Sequence, residues 1–174
     1  GDEAAILGQI RDLVCMLPSN NEDDNSFVEC TDDLNRAEAS LANCVGDTSI
    51  ALSTIADDNA FVEVKAAYAK EMVTGFMKLN GITVGAVANR CEVYNDEGEK
   101  TAEFVSFCDA FNIPVLTLTN VNGFTADKCS EKKIAKAAAR LTYAFADATV
   151  PKVNVIIGKA YGSAYVAMNS KAIG

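Results

Sequence analysis

The sequence predicts an α/β fold, and three observations carry the prediction. Strand-like runs at 61–64, 72–79 and 82–88 are rich in Val, Ile, Phe and Met, and the last two flank an Asn80-Gly81 pair. An amphipathic helical stretch at 99–111 feeds, through Pro114, into the buried-type strand VLTLT ending at Thr119. That arrangement then returns, with a helix from a Ser130 cap to about Asp147 and a second buried-type strand from Val153 to Ile157. Repeated β-β-α or βα units of this kind imply an α/β core with functional loops after the strands. At 174 residues and 49% hydrophobic, the chain suits one domain with a sizeable core.

In chain order, Ile6, Ile10, Leu13, Val14 and Leu17 fall on one helical face of residues 4–17, and Pro18 ends the pattern. This predicts a packed helix. Residues 19–46 are acidic, rich in Asn and Asp and poor in periodicity, as expected of a connector that wraps a surface or moves. Thr48–Ile55 reads as a helix with Asp47 as its N-cap. Asn80-Gly81 favours a tight hairpin turn, so the flanking strands should be antiparallel neighbours. In the 99–111 helix, Phe104, Phe107, Cys108 and Phe111 share the inward face; in the next, Ile134, Ala138, Leu141 and Phe145 do. Residues 1–59 thus form a helix plus acidic connector, and 60–174 the main domain.

Composition excludes several functions. The absence of histidine removes Ser-His-Asp and Cys-His nucleophile systems, HExxH metal sites and imidazole acid-base catalysis from this chain. The net charge of −9 is concentrated, since residues 19–59 hold ten acids and a single base, Arg36. That argues for a solvated segment and against a duplex nucleic-acid partner. Cys15, Cys30, Cys44, Cys91, Cys108 and Cys129 form no CxxC motif, so no metal is expected, and the thiols read as reduced and structural in a cytoplasmic protein. No stretch reaches the roughly 18 apolar residues of a membrane span. The missing initiator Met suggests an excised soluble piece.

Two small-residue loops could carry chemistry: Asn120–Phe124 after VLTLT and Lys159–Tyr165 after VNVII. Both follow strands, where open α/β sheets place ligands. Gly162, Ser163 and Ala164 are small enough for a substrate to approach the backbone, and a helix can start there, with amides suited to a negatively charged oxygen. Small residues equally permit close helix-strand packing, and the residues alone leave both readings open.

Three blocks narrow the choice: FVEVKAAYAKEMVTGFMKLNGITVGAVANR, FVSFCDAFNIPVLTLTNVNGF and TYAFADATVPKVNVIIGKAYGSAYVAMNSK. In order and spacing they resemble the carboxyltransferase subunits of biotin-dependent propionyl-CoA and acetyl-CoA carboxylases and of methylmalonyl-CoA decarboxylases. The resemblance implies a crotonase-like fold of β-β-α units, with this chain as the C-terminal half of a subunit facing the N-terminal half of another. It implies carboxyl transfer between carboxybiotin, borne by a biotin carboxyl carrier protein, and an acyl-CoA. The family's YGGA motif falls on Tyr161, Gly162, Ser163 and Ala164, and the resemblance gives the backbone amides of Ser163 and Ala164 the oxyanion role. Gly123, Phe124, Tyr165 and Val166 complete the implied substrate-binding set. Because biotin's own nitrogen can take the proton from the acyl-CoA carbon, the missing histidine is compatible with such catalysis.

Ser163 stands where the family often has Gly, Asn122 where it often has Pro, and Val166 where propionyl-CoA carboxylases carry Asp. The YVAMNSK ending looks more like the decarboxylase branch, which would allow membrane decarboxylase subunits as partners. A trimer or hexamer is the implied full assembly, and the isolated half is expected to be inactive. Two rivals remain. A hydratase or isomerase of the same fold would need a pocket acid or base, and a non-catalytic assembly or docking module would tolerate filling the glycine loop.

Overall fold

The computed structural model describes residues 2–24, 27–33, 35–44, 46–90, 95–124, 128 and 131–173. Among them, β1 (Phe61–Val64), β2 (Met72–Leu79), β3 (Ile82–Asn89), β4 (Val115–Val121) and β5 (Lys152–Ala160) form one sheet in the order β1-β2-β3-β4-β5. The first three run antiparallel, and β3-β4 and β4-β5 are parallel. Parallel neighbours need crossover connections. These are α3 (Asn95–Ala110) between β3 and β4, and α4 (Ile134–Asp147) between β4 and β5. The remaining helices are α1 (Glu3–Met16), α2 (Thr48–Ile55) and the short α5 (Gly162–Ala167). The expected α/β class is thus observed.

The expected hairpin forms with Leu79 opposite Ile82, and Asn80 and Gly81 take φ of 52° and 76°. Two positive values are what a two-residue type I′ turn requires. Asp47 caps α2 as expected, accepting from the Ser49 amide. α3 begins at Asn95, earlier than its apolar periodicity suggested. Ser130, the expected cap of α4, lies outside the described residues, as do Cys91 and Cys129; α4 follows Lys133, which makes no side-chain cap bond.

Apolar side chains collect on both faces of the sheet. On one face, Met72, Phe76 and Val87 meet Phe104, Val105 and Cys108 of α3, Leu141 and Phe145 of α4, and Ala164 and Ala167 of α5. On the other, Val73, Met77, Ala86 and Leu118 meet Ala51 and Leu52 of α2. Burial pushes the Cys108 thiol up to about 12, with the adjacent Asp109 charge adding to the effect, so this cysteine is a packing group and not a nucleophile. The Lys100 ammonium is buried and donates to the carbonyls of Tyr68, Ala69 and Met72 at 2.9, 3.3 and 2.7 Å, fixing the β1-β2 connection.

Three expectations need correction. α1 is not a packed helix along its whole stripe: Leu13 and Leu17 meet the core, but Ile6, Ile10 and Val14 are exposed. Phe107 is only partly inward and stacks on Phe111 with ring centroids 4.6 Å apart. β5 is an edge strand and not a buried one, because the described helices cover β2 and β3 on both faces but leave Val153, Val155 and Ile156 exposed. The acidic connector does wrap a surface. Its one base, Arg36, donates to the carbonyls of Thr54 and Ala56 at 2.8 Å each and pairs with Asp32, while the Val28 amide reaches Gly81 O at 2.9 Å.

Candidate active site

The two small-residue loops meet at the C-terminal ends of β4 and β5. The Tyr161 amide donates to Val121 O at 3.1 Å, and Val121 is paired with Ala160. Asn120 and Val121, expected as loop residues, belong to β4, so the first loop begins at Asn122. Beyond Tyr161 the chain turns directly into α5.

Gly162 has φ of 67°, a left-handed value that disfavours any side chain, and it lets the extended Tyr161 pass at once into the helix. The space where its Cβ would stand has no atom within 4 Å, and the same holds at Gly123, whose φ is 149°. Conformation, not crowding, selects glycine at Gly162, and both loops present open backbone.

By helix geometry the amides of the first α5 turn, those of Ser163 and Ala164 included, lack an acceptor inside the helix. The Ala164 side chain is buried in the first core and that of Ser163 is exposed, so the first turn is anchored from beneath. Phe124 and Tyr165 are half-buried against the core, whereas Tyr161 and Val166 are 62% and 41% exposed. Six of the eight predicted site residues thus lie on α5 or immediately before it, Gly123 follows two residues after the Val121 carbonyl that binds Tyr161, and Phe124 packs against the core.

Sequence reasoning missed the asparagines behind these loops. Thr119 Oγ1 donates to Asn154 Oδ1 at 2.8 Å, and Asn154 Nδ2 donates to Met168 O, just past α5, at 3.0 Å. Asn169 Nδ2 reaches Thr117 Oγ1 at 3.4 Å. A polar seam therefore pins α5 to β4 and β5. No spacing announces it, because register alone brings these residues together.

Cavities of about 350 and 690 Å³ border α1 and are lined by residues such as Leu13, Val64 and Lys65, none from the two loops. Among the described residues no group of acids, cysteines or histidines could hold a metal ion, and no helix is long and apolar enough to cross a membrane.

The family model for the carboxyl transferase domain matches residues 1–174. The chain belongs to this family. It is 39% identical over 186 aligned positions to the methylmalonyl-CoA decarboxylase subunit alpha of Propionigenium modestum, covering 99% of this chain and 36% of that protein. It is 41% identical to the propionyl-CoA carboxylase beta chain of Roseobacter denitrificans, covering 98% of this chain and 36% of that one. Among solved structures, the transcarboxylase 12S hexamer with hydrolysed methylmalonyl-coenzyme A superposes with a TM-score of 0.91 at 36% identity, over 99% of this chain and 37% of that one. The crotonase-like fold is thereby established, and the chain spans little more than a third of the length of these carboxyl transferase relatives.

Proposed function

We propose that this carboxyl transferase domain forms the carboxybiotin-facing half of a site that moves a carboxyl group between biotin and an acyl-CoA. The observation that carries the reading is the start of α5, where Gly162 opens the backbone and the Ser163 and Ala164 amides follow a Tyr161 that is tied to β4 through the Val121 carbonyl. Preorganised amides of this kind stabilise an oxygen on which negative charge develops, because they cannot swing away.

The residues present suit biotin. Open backbone at Gly123 and Gly162, the rings of Tyr161 and Tyr165, and two amide donors match a small bicycle with one polar urea oxygen. When bound, biotin on its carrier protein supplies the nitrogen that accepts or releases the carboxyl group. Ser163 and Ala164 would hold the urea oxygen, Tyr161 and Tyr165 would flank the ring, and Val166 would shape the space beside the acyl group. The acyl-CoA half of the site belongs, on this reading, to the N-terminal half of a second subunit, within a trimer or hexamer. Methylmalonyl-CoA, propionyl-CoA and acetyl-CoA are the candidate substrates, with a cytoplasmic location or attachment to membrane decarboxylase subunits.

In the assembled enzyme, Ala164→Gly should be mild and Ala164→Pro should lower kcat on the order of 100-fold or more, since only proline removes the amide donor. Near-normal turnover with proline, in protein of unchanged melting temperature, would remove the oxyanion assignment and favour an assembly module.

A further inference from the structure

We propose that Asn89 and Asn120 form a bracket that positions the loop carrying Ser163 and Ala164. Regular pairing of β3 with β4 ends at Ala88 and Leu118. Asn89, the last residue of β3, then uses its side chain where backbone pairing stops. Its Oδ1 accepts from the Asn120 amide at 2.9 Å, and its Nδ2 donates to the Asn120 carbonyl in a short hydrogen bond. One buried carboxamide thus satisfies both the backbone N–H and the backbone C=O of a single residue, which only a side chain with adjacent donor and acceptor can do.

Asn120 lies where the register of β4 against β5 shifts, between Thr119 and Val121. A bulge interrupts the ladder locally. The Asn120 side chain spans the interruption, its Oδ1 accepting from the Lys159 amide at 2.8 Å. The space this needs comes from Gly158, since a Cβ there would overlap Asn120 Oδ1. Two residues beyond Lys159, the Tyr161 amide returns to Val121 O, and the α5 turn begins. The bracket therefore runs from β3 through β4 to the base of the loop. These are positioning residues: they act through Lys159 and Tyr161, and their role in turnover rests on the carboxyl-transfer reading above.

The two positions make opposite demands on the same substitution. Asn120→Asp keeps the oxygen that Lys159 uses, whereas Asn89→Asp deletes a donor and sets a carboxylate against the Asn120 carbonyl. The test measures amide hydrogen exchange over residues 158–165, melting temperature and carboxyl-transfer kinetics in the assembled enzyme for Asn89→Asp, Asn120→Asp and Asn120→Leu. We expect Asn89→Asp and Asn120→Leu to speed exchange at Lys159 and in the following turn, and to lower kcat about 10- to 100-fold with little change in KM for acyl-CoA, as small misplacements of a reacting geometry do. Asn120→Asp should retain wild-type exchange and kcat. Unchanged exchange at 158–165 in both Asn89→Asp and Asn120→Leu would overturn the bracket, whatever the turnover. Absence of carboxyl transfer in the unsubstituted enzyme would instead sink the functional reading, while exchange would still decide this one.

Discussion

β2 and β5 are both apolar strands of one sheet, and different forces hold them. Met72, Val73 and Met77 of β2 are fully buried, because α3 lies over one face and α2 over the other. In β5, Val153, Val155 and Ile156 are 56%, 42% and 50% exposed. Ile157 packs against the second core, and the rest of what fixes β5 is polar. Asp109 Oδ1 accepts from the Thr149 amide at 2.6 Å, the Thr149 hydroxyl at 3.0 Å and the Val150 amide at 3.2 Å, just before the strand. Lys152 Nζ donates to the Phe145 and Ala148 carbonyls at 2.6 and 2.7 Å, and further along the strand Asn154 accepts from Thr119 and the Lys159 amide donates to Asn120, both partners lying on β4. An apolar strand can thus be placed by hydrogen bonds while its hydrophobic surface stays open, and the side that carries the candidate loops is the open one.

The comparison breaks most readily by truncation. Phe145→Ala, at a fully buried position in the first core, should cost about 3–5 kcal/mol through lost transfer energy and an unfilled cavity. Val155→Ala, on the exposed strand, should stay within about 0.5 kcal/mol. Denaturant unfolding of the purified chain measures both, and a large penalty at Val155 would mean that β5 is buried by self-association.

The polar tether gives a smaller and pH-dependent effect. Partial burial pushes the Asp109 carboxyl up, but the hydrogen bonds from Thr149 and Val150, helped by Lys152, outweigh it and hold the group below the usual carboxylate range. A depressed folded-state pKa contributes stability that is present above the unfolded value, about 3.9, and is lost as pH falls through the folded one. Asp109→Ala should therefore cost about 1–2 kcal/mol near neutral pH. The gap between variant and wild type should narrow as unfolding is repeated at progressively more acidic pH. A gap that widened in acid would contradict the assignment.

What the sequence reveals follows from the same contrast. The Asn80-Gly81 turn, the Asp47 cap and the burial of Leu141 and Phe145 on α4 were legible, because each depends on residues a few positions apart, although Ala137 and Ala144, not Ile134 and Ala138, complete the buried α4 face. The exposure of β5 and of Ile6, Ile10 and Val14 was not. An apolar pattern says that a surface is meant to be covered, without saying whether the cover belongs to this chain. The Asn89-Asn120-Lys159 bracket was equally hidden, since single asparagines in separate strands meet only once the register and its bulge are set. At the candidate site, Gly162, Ser163 and Ala164 were visible as a run of small residues, but choosing catalysis over close packing depended on the family resemblance.

The most direct test of the account is to assay the purified 174-residue chain for decarboxylation of malonyl-CoA or methylmalonyl-CoA with free biotin, beside a complete subunit and with sedimentation of both. A half-site chain whose α1 stripe of Ile6, Ile10 and Val14 is open should self-associate and show no turnover above background, while the complete subunit is active. Robust decarboxylation by the 174-residue chain alone would mean that it contains a whole site, and the division of labour proposed here would be wrong.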